Sequence, residues 1–68
     1  MSKLTVYKIE ELNDRRAEWI VRYRENGDTS WMLVQGKDEL SAYVEFVKVC
    51  RANGDMVELG SNEEQTNE

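Results

Sequence analysis

An Asn-Gly dipeptide between two apolar runs is the feature of this sequence that most constrains its fold. Residues 18–36 read EWIVRYRENGDTSWMLVQG, in which Asn26-Gly27 separates two stretches rich in Trp, Ile, Val, Tyr and Leu. Both central residues of a type I′ turn require positive φ, which Gly adopts freely and Asn tolerates. A β-hairpin with a two-residue turn is therefore predicted for this segment.

The two-residue turn also sets the register of the predicted hairpin and the composition of its two faces. Glu25 then faces Asp28, and the pairs that follow are Tyr23 with Ser30, Arg22 with Trp31, Val21 with Met32, Ile20 with Leu33 and Trp19 with Val34. Strand alternation assigns one apolar core face, which consists of Trp19, Val21, Tyr23, Met32 and Val34. The opposite face mixes apolar and cationic side chains: Ile20, Arg22, Arg24, Thr29, Trp31 and Leu33. On that face we expect Arg22 to stack on Trp31.

A helical interpretation of residues 8–25 competes with the hairpin. The apolar residues of this range also fit a helical stripe, interrupted at Arg16: Ile9, Leu12, Trp19, Ile20 and Tyr23. Gly27 would then lie just beyond the end of a helix. The run Trp-Ile-Val-Arg-Tyr favours a strand, because β-branched and aromatic residues suit a pleated sheet.

Two further elements are predicted on either side of the hairpin. LTVYKI at residues 4–9 predicts a first strand, and Asn13-Asp14 is a turn candidate after it. Gly36-Lys37 breaks the hairpin's second strand. A helix is then predicted over residues 38–53, with Asp38 as its N-cap and Gly54 as the left-handed residue beyond its end.

The last residues complete a single α+β domain spanning residues 1–60. DMVELG at residues 55–60 is compatible with a final strand returning beside the hairpin, and it alone could pair in parallel, since parallel neighbours need a crossover. SNEEQTNE at residues 61–68 predicts a disordered acidic tail. The predicted fold is a small antiparallel sheet of about three to four strands, in the order β-β-β-α-β, with one helix packed on one face.

The predicted core lies between the helix and the hairpin. Apolar residues recur at helical spacing after Asp38 and form a stripe that should face the sheet. The expected core is Trp19, Val21, Tyr23, Met32, Val34, Leu40, Tyr43, Val44, Val47 and Cys50. One helix covers one sheet face, so the face with Ile20, Trp31 and Leu33 should stay open to water, as partner and dimer sites often are.

The composition argues against an enzyme that depends on a metal or another cofactor. The chain has no His and a single Cys, which removes the commonest metal ligand and the usual general base. Cys50 falls on the apolar helix stripe without a base, so a buried, unreactive thiol is expected. Adjacent carboxylates such as Glu10-Glu11 are expected to be solvated surface. A non-enzymatic protein without cofactors is predicted.

Charge and hydropathy restrict the partners and the compartment. The net charge is −5, and ten of the 14 acidic residues lie after Arg24, which disfavours nucleic acid as a direct ligand. No apolar run has the length of a membrane span and the N-terminus lacks a signal-peptide core, so no membrane partner is expected. A lone Cys is typical of a reducing setting, and a cytoplasmic location is predicted.

A mixture of basic and aromatic residues suggests one alternative function. W-x-V-R-Y-R, the glycine turn and K-D-E-L-S-A-Y resemble the arm-type DNA-binding modules of phage integrases and plant AP2-like domains, over residues 4–53. This resemblance implies a sheet that reads a DNA groove with residues such as Arg22 and Arg24. Those families are basic, whereas this chain is acidic.

A second resemblance implies a different function. E-W-I-V-R-Y-R, N-G, S-W-M-L-V, K-D-E-L-S-A-Y-V and D-M-V-E-L follow an order that resembles the small phage inhibitor of bacterial RNA polymerase. The size and charge resemble many anti-CRISPR proteins. Over residues 18–60 these similarities imply a phage-encoded inhibitor that blocks a host enzyme or nucleoprotein complex by occlusion or nucleic-acid mimicry.

Six residues are predicted to bind such a partner: Arg22, Arg24, Trp31, Leu33, Glu25 and Asp28. Trp31 is the expected anchor, with Arg22 and Arg24 beside it, because interface energy concentrates in buried Trp, Tyr and Arg. The acidic residues would steer the encounter with a basic partner. A homodimer that closes the open sheet face on itself is compatible with either function.

Overall fold

A computed structural model describes residues 2–60, which form a four-stranded sheet with one helix on one face. The elements are β1 (Lys3–Asn13), β2 (Glu18–Glu25), β3 (Asp28–Gln35), α1 (Glu39–Ala52) and β4 (Met56–Leu59). The strands lie in the order β3-β2-β1-β4, with antiparallel pairing throughout except between β1 and β4. The predicted α+β fold is confirmed. Its sheet is mixed because α1 supplies the crossover that lets β4 run parallel to β1.

The Asn-Gly hairpin is confirmed in both turn and register. Asn26 has φ 54° and Gly27 has φ 89°, as a type I′ turn requires. Glu25 pairs with Asp28, Arg22 with Trp31 and Trp19 with Val34, as predicted. Residues 18–25 are a strand, so the helical interpretation of residues 8–25 is wrong.

The first strand is longer than predicted and is interrupted by two irregularities. β1 begins one residue before the predicted strand and ends four residues after it, at Asn13. The Oδ1 of Asn13 accepts from the backbone N–H of Arg15 (3.0 Å) and so begins the predicted turn. Its register against β2 shifts around Tyr7 and again around Leu12. Because a bulge inserts one residue, Ile9 lies on the same face as Leu4 and Val6 instead of the opposite one.

The two ends of α1 follow the predicted capping chemistry. Asp38 accepts from the backbone N–H of Ser41 at 2.8 Å, and Gly54 has φ 86° just beyond the C-cap residue Asn53. The helix starts close against the end of β3, since a Cβ on Gly36 would lie 2.6 Å from the backbone N of Ala42. Trp19 supports this junction by donating its indole N–H to the carbonyl of Gly36 at 2.7 Å.

The core lies under α1 but with a different helix phase from the predicted one. Phe46 is fully buried and packs against Tyr23, with ring centroids 5.2 Å apart. The buried residues are Leu4, Val6, Val21, Val34, Ala42, Phe46 and Cys50, and Trp19, Tyr23, Met32 and Tyr43 pack partly buried against them. The prediction was wrong for Leu40 and Val44, which are exposed, and it omitted Leu4, Val6, Ala42 and Phe46. Val47 is half-buried at the β4 side.

The helix phase differed because α1 is apolar around most of its circumference. Ala42, Phe46 and Cys50 form one row, and Leu40, Val44 and Val47 form another, whose centre lies roughly 130° away around the helix axis. Both rows fit a helical stripe. The close contact at Gly36 and the fit of Phe46 against Tyr23 select the first row. The predicted acidic tail, residues 61–68, lies outside the described residues.

Candidate functional site

The sheet face opposite α1 carries most of the predicted binding residues. β3 contributes Thr29, Trp31 and Leu33, β2 contributes Ile20, Arg22 and Arg24, and β1 contributes Thr5, Lys8 and Glu10. We call these nine residues the open face. Trp31 is 58 % exposed and Leu33 is 48 % exposed, although both are large and apolar. Exposed apolar side chains that lie together on one strand form a surface from which a binding partner could displace water.

Cross-strand pairing arranges the open face in rows. Trp31 lies beside Arg22, which lies beside Lys8, and Leu33 lies beside Ile20, which lies beside Glu10. Directly opposed residues on one face are close enough to interact. The exposed Trp31 and Leu33 therefore form an apolar edge along β3, and a charged strip lies on β1 and β2.

Glu10 is the centre of that charged strip. Its carboxylate lies 3.1 Å from Lys8 Nζ and 3.4 Å from Arg22 Nη2. The hydrogen bond from Lys8, followed by that from Arg22, holds the pKa of the Glu10 carboxyl below its ordinary value. Glu10 thus neutralises part of the cationic surface and orients the guanidinium of Arg22.

The aromatic partners of the arginines differ from the expectation. Arg22 reaches Glu10, and the cation–π contact is made by Arg24, whose guanidinium carbon lies 4.7 Å from the ring centroid of Tyr7. Alternation from Thr5 places Tyr7 on this face, at the first irregularity of β1. Stacking restricts the rotamers of Arg24 and presents its charge in a defined place.

The six predicted binding residues fall into two groups. Arg22, Arg24, Trp31 and Leu33 share the open face. Glu25 and Asp28 pair with each other at the hairpin tip, and alternation places them on the α1 side of the sheet. The acidic pair is therefore displaced from the Trp31 surface toward one end of the sheet.

Reasoning from sequence missed the contribution of β1 to this face. Lys8 and Glu10 complete the charged strip, but their place depends on β1 pairing with β2 and on the irregularity at Tyr7, which moves them onto this face. Alternation along LTVYKI gives no sign of that irregularity. The charged residues Lys8 and Glu10, which are two positions apart, were the available signal, since residues at that spacing share a strand face.

The thiol has the properties expected of a structural residue. Cys50 is 2 % exposed on the side of α1 that faces the sheet. Burial raises the pKa of the Cys50 thiol, and the carboxylates of Asp55 and Glu25 raise it further. A thiolate at this position is disfavoured at neutral pH, so Cys50 fills space in the core.

The acidic side chains do not assemble a metal site in the part of the chain that the structure describes. Within residues 2–60, no group of three or more Cys, Asp or Glu side chains has the geometry to hold a metal ion. The close polar contacts of Glu10 are instead to cations.

Two grooves flank the sheet where α1 leaves its edges uncovered. One, of about 440 Å³, runs along β3 between Leu33, Val34 and Val49 of α1. The other, of about 340 Å³, lies between Leu40 and Tyr43 of α1 and Leu59 of β4. Both follow from the observed helix phase, which leaves apolar residues of α1 at the sheet margins.

Comparisons with known proteins add no relative to these observations. No protein-family model, no curated protein and no solved structure matches this chain. In the described region, residues 2–60, the helix is too short and too polar to cross a bilayer.

Proposed function

We propose that this chain is a small non-enzymatic binding protein that inhibits a host enzyme or nucleoprotein complex by occlusion, with the open face as its docking surface. The observation that carries the proposal is the exposure of Trp31 and Leu33 beside Arg22 on a sheet face that the helix leaves uncovered. Tryptophan and arginine dominate the energy of protein interfaces when a partner desolvates them. The proposal includes a phage origin for the chain and the cytoplasm of the host cell as the compartment in which it binds its partner.

The layout of the open face supports a protein partner with an apolar pocket. Trp31 and Leu33 would enter the pocket, while Arg22, held by Glu10 at 3.4 Å, would contact its polar rim. Arg24 is held against Tyr7, so less of its side-chain entropy is lost on binding. Much of the surface is therefore organised before the encounter.

The charge distribution supports electrostatic steering toward a basic partner. The chain carries a net charge of −5, and Glu25 and Asp28 concentrate acid at the hairpin tip. Such a surface attracts a cationic channel or groove and raises the association rate at low salt. By occupying a channel that normally holds nucleic acid, this acidic domain would block the channel.

Replacing Trp31 tests the proposal. With an inhibited enzyme or complex captured from host lysate by the tagged chain and then purified, Trp31→Ala should raise the Kd by about 30-fold, a loss of about 2 kcal/mol. Leu40→Ala is the matched control, because Leu40 is 71 % exposed but lies on α1. An affinity of Trp31→Ala within error of the original chain would remove the open face as the docking surface.

One observation favours a second candidate, a DNA-binding module that uses its sheet. Lys8, Arg22 and Arg24 share the open face with Trp31, which is the basic-aromatic mixture that nucleic-acid-binding sheets display. Glu10 opposes it by engaging two of these three cations. A mobility shift that falls steeply with salt and disappears in Arg22→Ala would favour DNA over a protein partner.

A further inference from the structure

The edge strand β3 lacks the features that normally prevent a sheet edge from pairing. It is eight residues long and its register against β2 is regular throughout. Residues 29–35, TSWMLVQ, contain no charge and no proline, and Asp28 and Lys37 lie just outside this run. Natural edge strands are usually short, bulged, charged or interrupted by proline. An uncharged edge of this length is a template for another strand.

The hydrogen-bonding phase of the hairpin shows which backbone groups of β3 point outward. In a two-residue hairpin the pair that closes the turn, Glu25 with Asp28, exchanges both N–H···O bonds, and bonded pairs then recur at every second residue. Gly36 N donates to Ala17 O at 2.9 Å and continues this series beyond the strand. The even-numbered residues of β3 therefore bond to β2. The N–H and C=O groups of Thr29, Trp31, Leu33 and Gln35 point away from the sheet.

We propose that a second copy of this chain pairs antiparallel with β3, with Met32 at the two-fold axis. A two-fold axis perpendicular to the sheet keeps each residue on its own face, so residues of equal parity must oppose one another. Centred on Met32, the register places Trp31 opposite Leu33 of the second copy and Thr29 opposite Gln35 of the second copy. These outward-pointing residues would make about eight interchain hydrogen bonds, and the uncharged run pairs entirely with itself.

The side chains on both faces suit this register. On the open face, Trp31 and Leu33 of each copy would form one four-residue apolar cluster, in which neighbouring side chains cover the flanks of residues now 58 % and 48 % exposed and leave their outward surface open. On the α1 side, Met32 meets its own copy below the groove that Val34 and Val49 line. The pairing therefore adds side-chain burial to backbone hydrogen bonds.

Charge complementarity argues for a second copy as the occupant. The hairpin tip is acidic at Glu25 and Asp28, whereas the opposite end of β3 has mixed charge, with Lys37, Arg15 and Arg16 near Glu18, which pairs with Gln35, and Asp38. The bond from Gln35 Nε2 to Arg16 O (3.4 Å) places the β1–β2 turn at that end. In the register centred on Met32, Asp28 of each copy lies opposite Gly36 of the other copy and next to its Lys37, which places opposite charges side by side at both ends of the paired strands. Asp38 follows Lys37 in the sequence, but its carboxylate accepts from the backbone N–H of Ser41 as the N-cap of α1.

The other sheet edge is protected, which makes β3 the pairing edge. β4 has four residues, and its Glu58 forms a 2.9 Å ion pair with Lys3 of β1. Short length and charge are two of the features by which edges avoid pairing. The inference does not rest on the proposed inhibitory function, although a dimer would join two open faces into one continuous surface.

A pair of lysine substitutions at the two sheet edges tests the inference. Sedimentation equilibrium over a concentration series should show the mass double, and Leu33→Lys should raise the dimer dissociation constant by roughly tenfold or more, because each lysine would face Trp31 of the other copy. Met56→Lys adds the same charge at a 62 % exposed position on β4 and should leave the dimer unchanged. A monomer at all concentrations, or a dimer lost in Met56→Lys but kept in Leu33→Lys, would overturn the inference.

Amide hydrogen exchange provides a readout at single residues. In the dimer the amides of Trp31 and Leu33 should exchange at least roughly tenfold more slowly at high protein concentration than at low concentration. The amides of Met32 and Val34, which bond to β2, should be protected at both concentrations and so report an intact fold. Exchange at Trp31 and Leu33 that is independent of concentration while the mass doubles would place the interface elsewhere and overturn the inference.

Discussion

Phe46 determines the helix face that meets the sheet. Its ring is fully buried and tilted 43° against Tyr23, and Ala42 and Cys50 lie above and below it on the same row of α1. Leu40 lies on a different row and is 71 % exposed. Two apolar residues of the same helix therefore contribute differently to stability: Phe46 packs in the core, whereas Leu40 lies at the surface.

Truncating these two residues should separate their roles. Phe46→Ala should cost about 3–5 kcal/mol of unfolding free energy, because it leaves a cavity at the centre of a small core. Leu40→Ala should change it by less than about 0.5 kcal/mol. Urea denaturation followed by circular dichroism measures both. Equal losses would mean that Leu40 faces the sheet in solution.

The junction between β3 and α1 sets how the two layers meet. Gly36 ends the strand, its carbonyl accepts from the Trp19 indole at 2.7 Å, and its α-carbon lies against the first turn of the helix. The nearest atoms to a side chain here are backbone atoms of Ser41 and Ala42, which cannot rotate away. Glycine is required at this position for space.

Adding one methyl group at the junction should therefore destabilise the fold. Gly36→Ala would place a Cβ 2.6 Å from the backbone N of Ala42, and we expect a loss of about 1–3 kcal/mol. Lys37→Ala, at the exposed neighbouring position, is the control and should be nearly neutral. Thermal unfolding of the two variants gives the comparison, and a Gly36→Ala protein as stable as the original would show that α1 shifts freely on the sheet.

Residues 2–60 form a thin slab with two unlike sides. Its shortest Cα extent is 16 Å, which corresponds to one helix layer on one sheet layer. The α1 side contains the core, and the other side presents Trp31, Leu33 and the Glu10 cluster to solvent. This division places Trp31, Leu33 and the Glu10 cluster on the side opposite the core, so these residues and the residues that hold the fold can be altered separately.

The acid stability of the molecule should depend on two carboxylates held by different elements. Hydrogen bonds from Lys8 and Arg22 lower the pKa of Glu10, and the backbone N–H of Ser41 lowers the pKa of Asp38. Since both values are lower in the folded state than in the unfolded chain, their contribution is present at neutral pH. It is lost as the pH falls below their ordinary values, near 4.5 and 3.8, and through the lowered ones.

Removing one of these groups should flatten the acid side of the stability profile. Glu10→Gln should lower the Tm at pH 7 slightly and should lose less Tm between pH 7 and pH 3 than the original chain. Glu11→Gln is the control, because it removes an exposed carboxylate next to Glu10 in the sequence. Its profile should follow that of the original chain. A Glu10→Gln profile parallel to the original would contradict the assigned role of the Lys8–Glu10–Arg22 cluster.

The sequence by itself determined the features that depend on local backbone chemistry. The positive φ values at Asn26-Gly27 dictate the turn and hence the register from Glu25–Asp28 to Trp19–Val34, which placed Arg22, Arg24, Trp31 and Leu33 on one face. Asp38 and Gly54 similarly specified the ends of α1. Only the tertiary structure decided the phase of α1, the irregularity at Tyr7 and the pairing of β4 with β1. Each of these depends on how surfaces from distant parts of the chain pack together. The apolar pattern of α1 alone does not select one of them, because a helix that is apolar on most sides can pack on the sheet by more than one face.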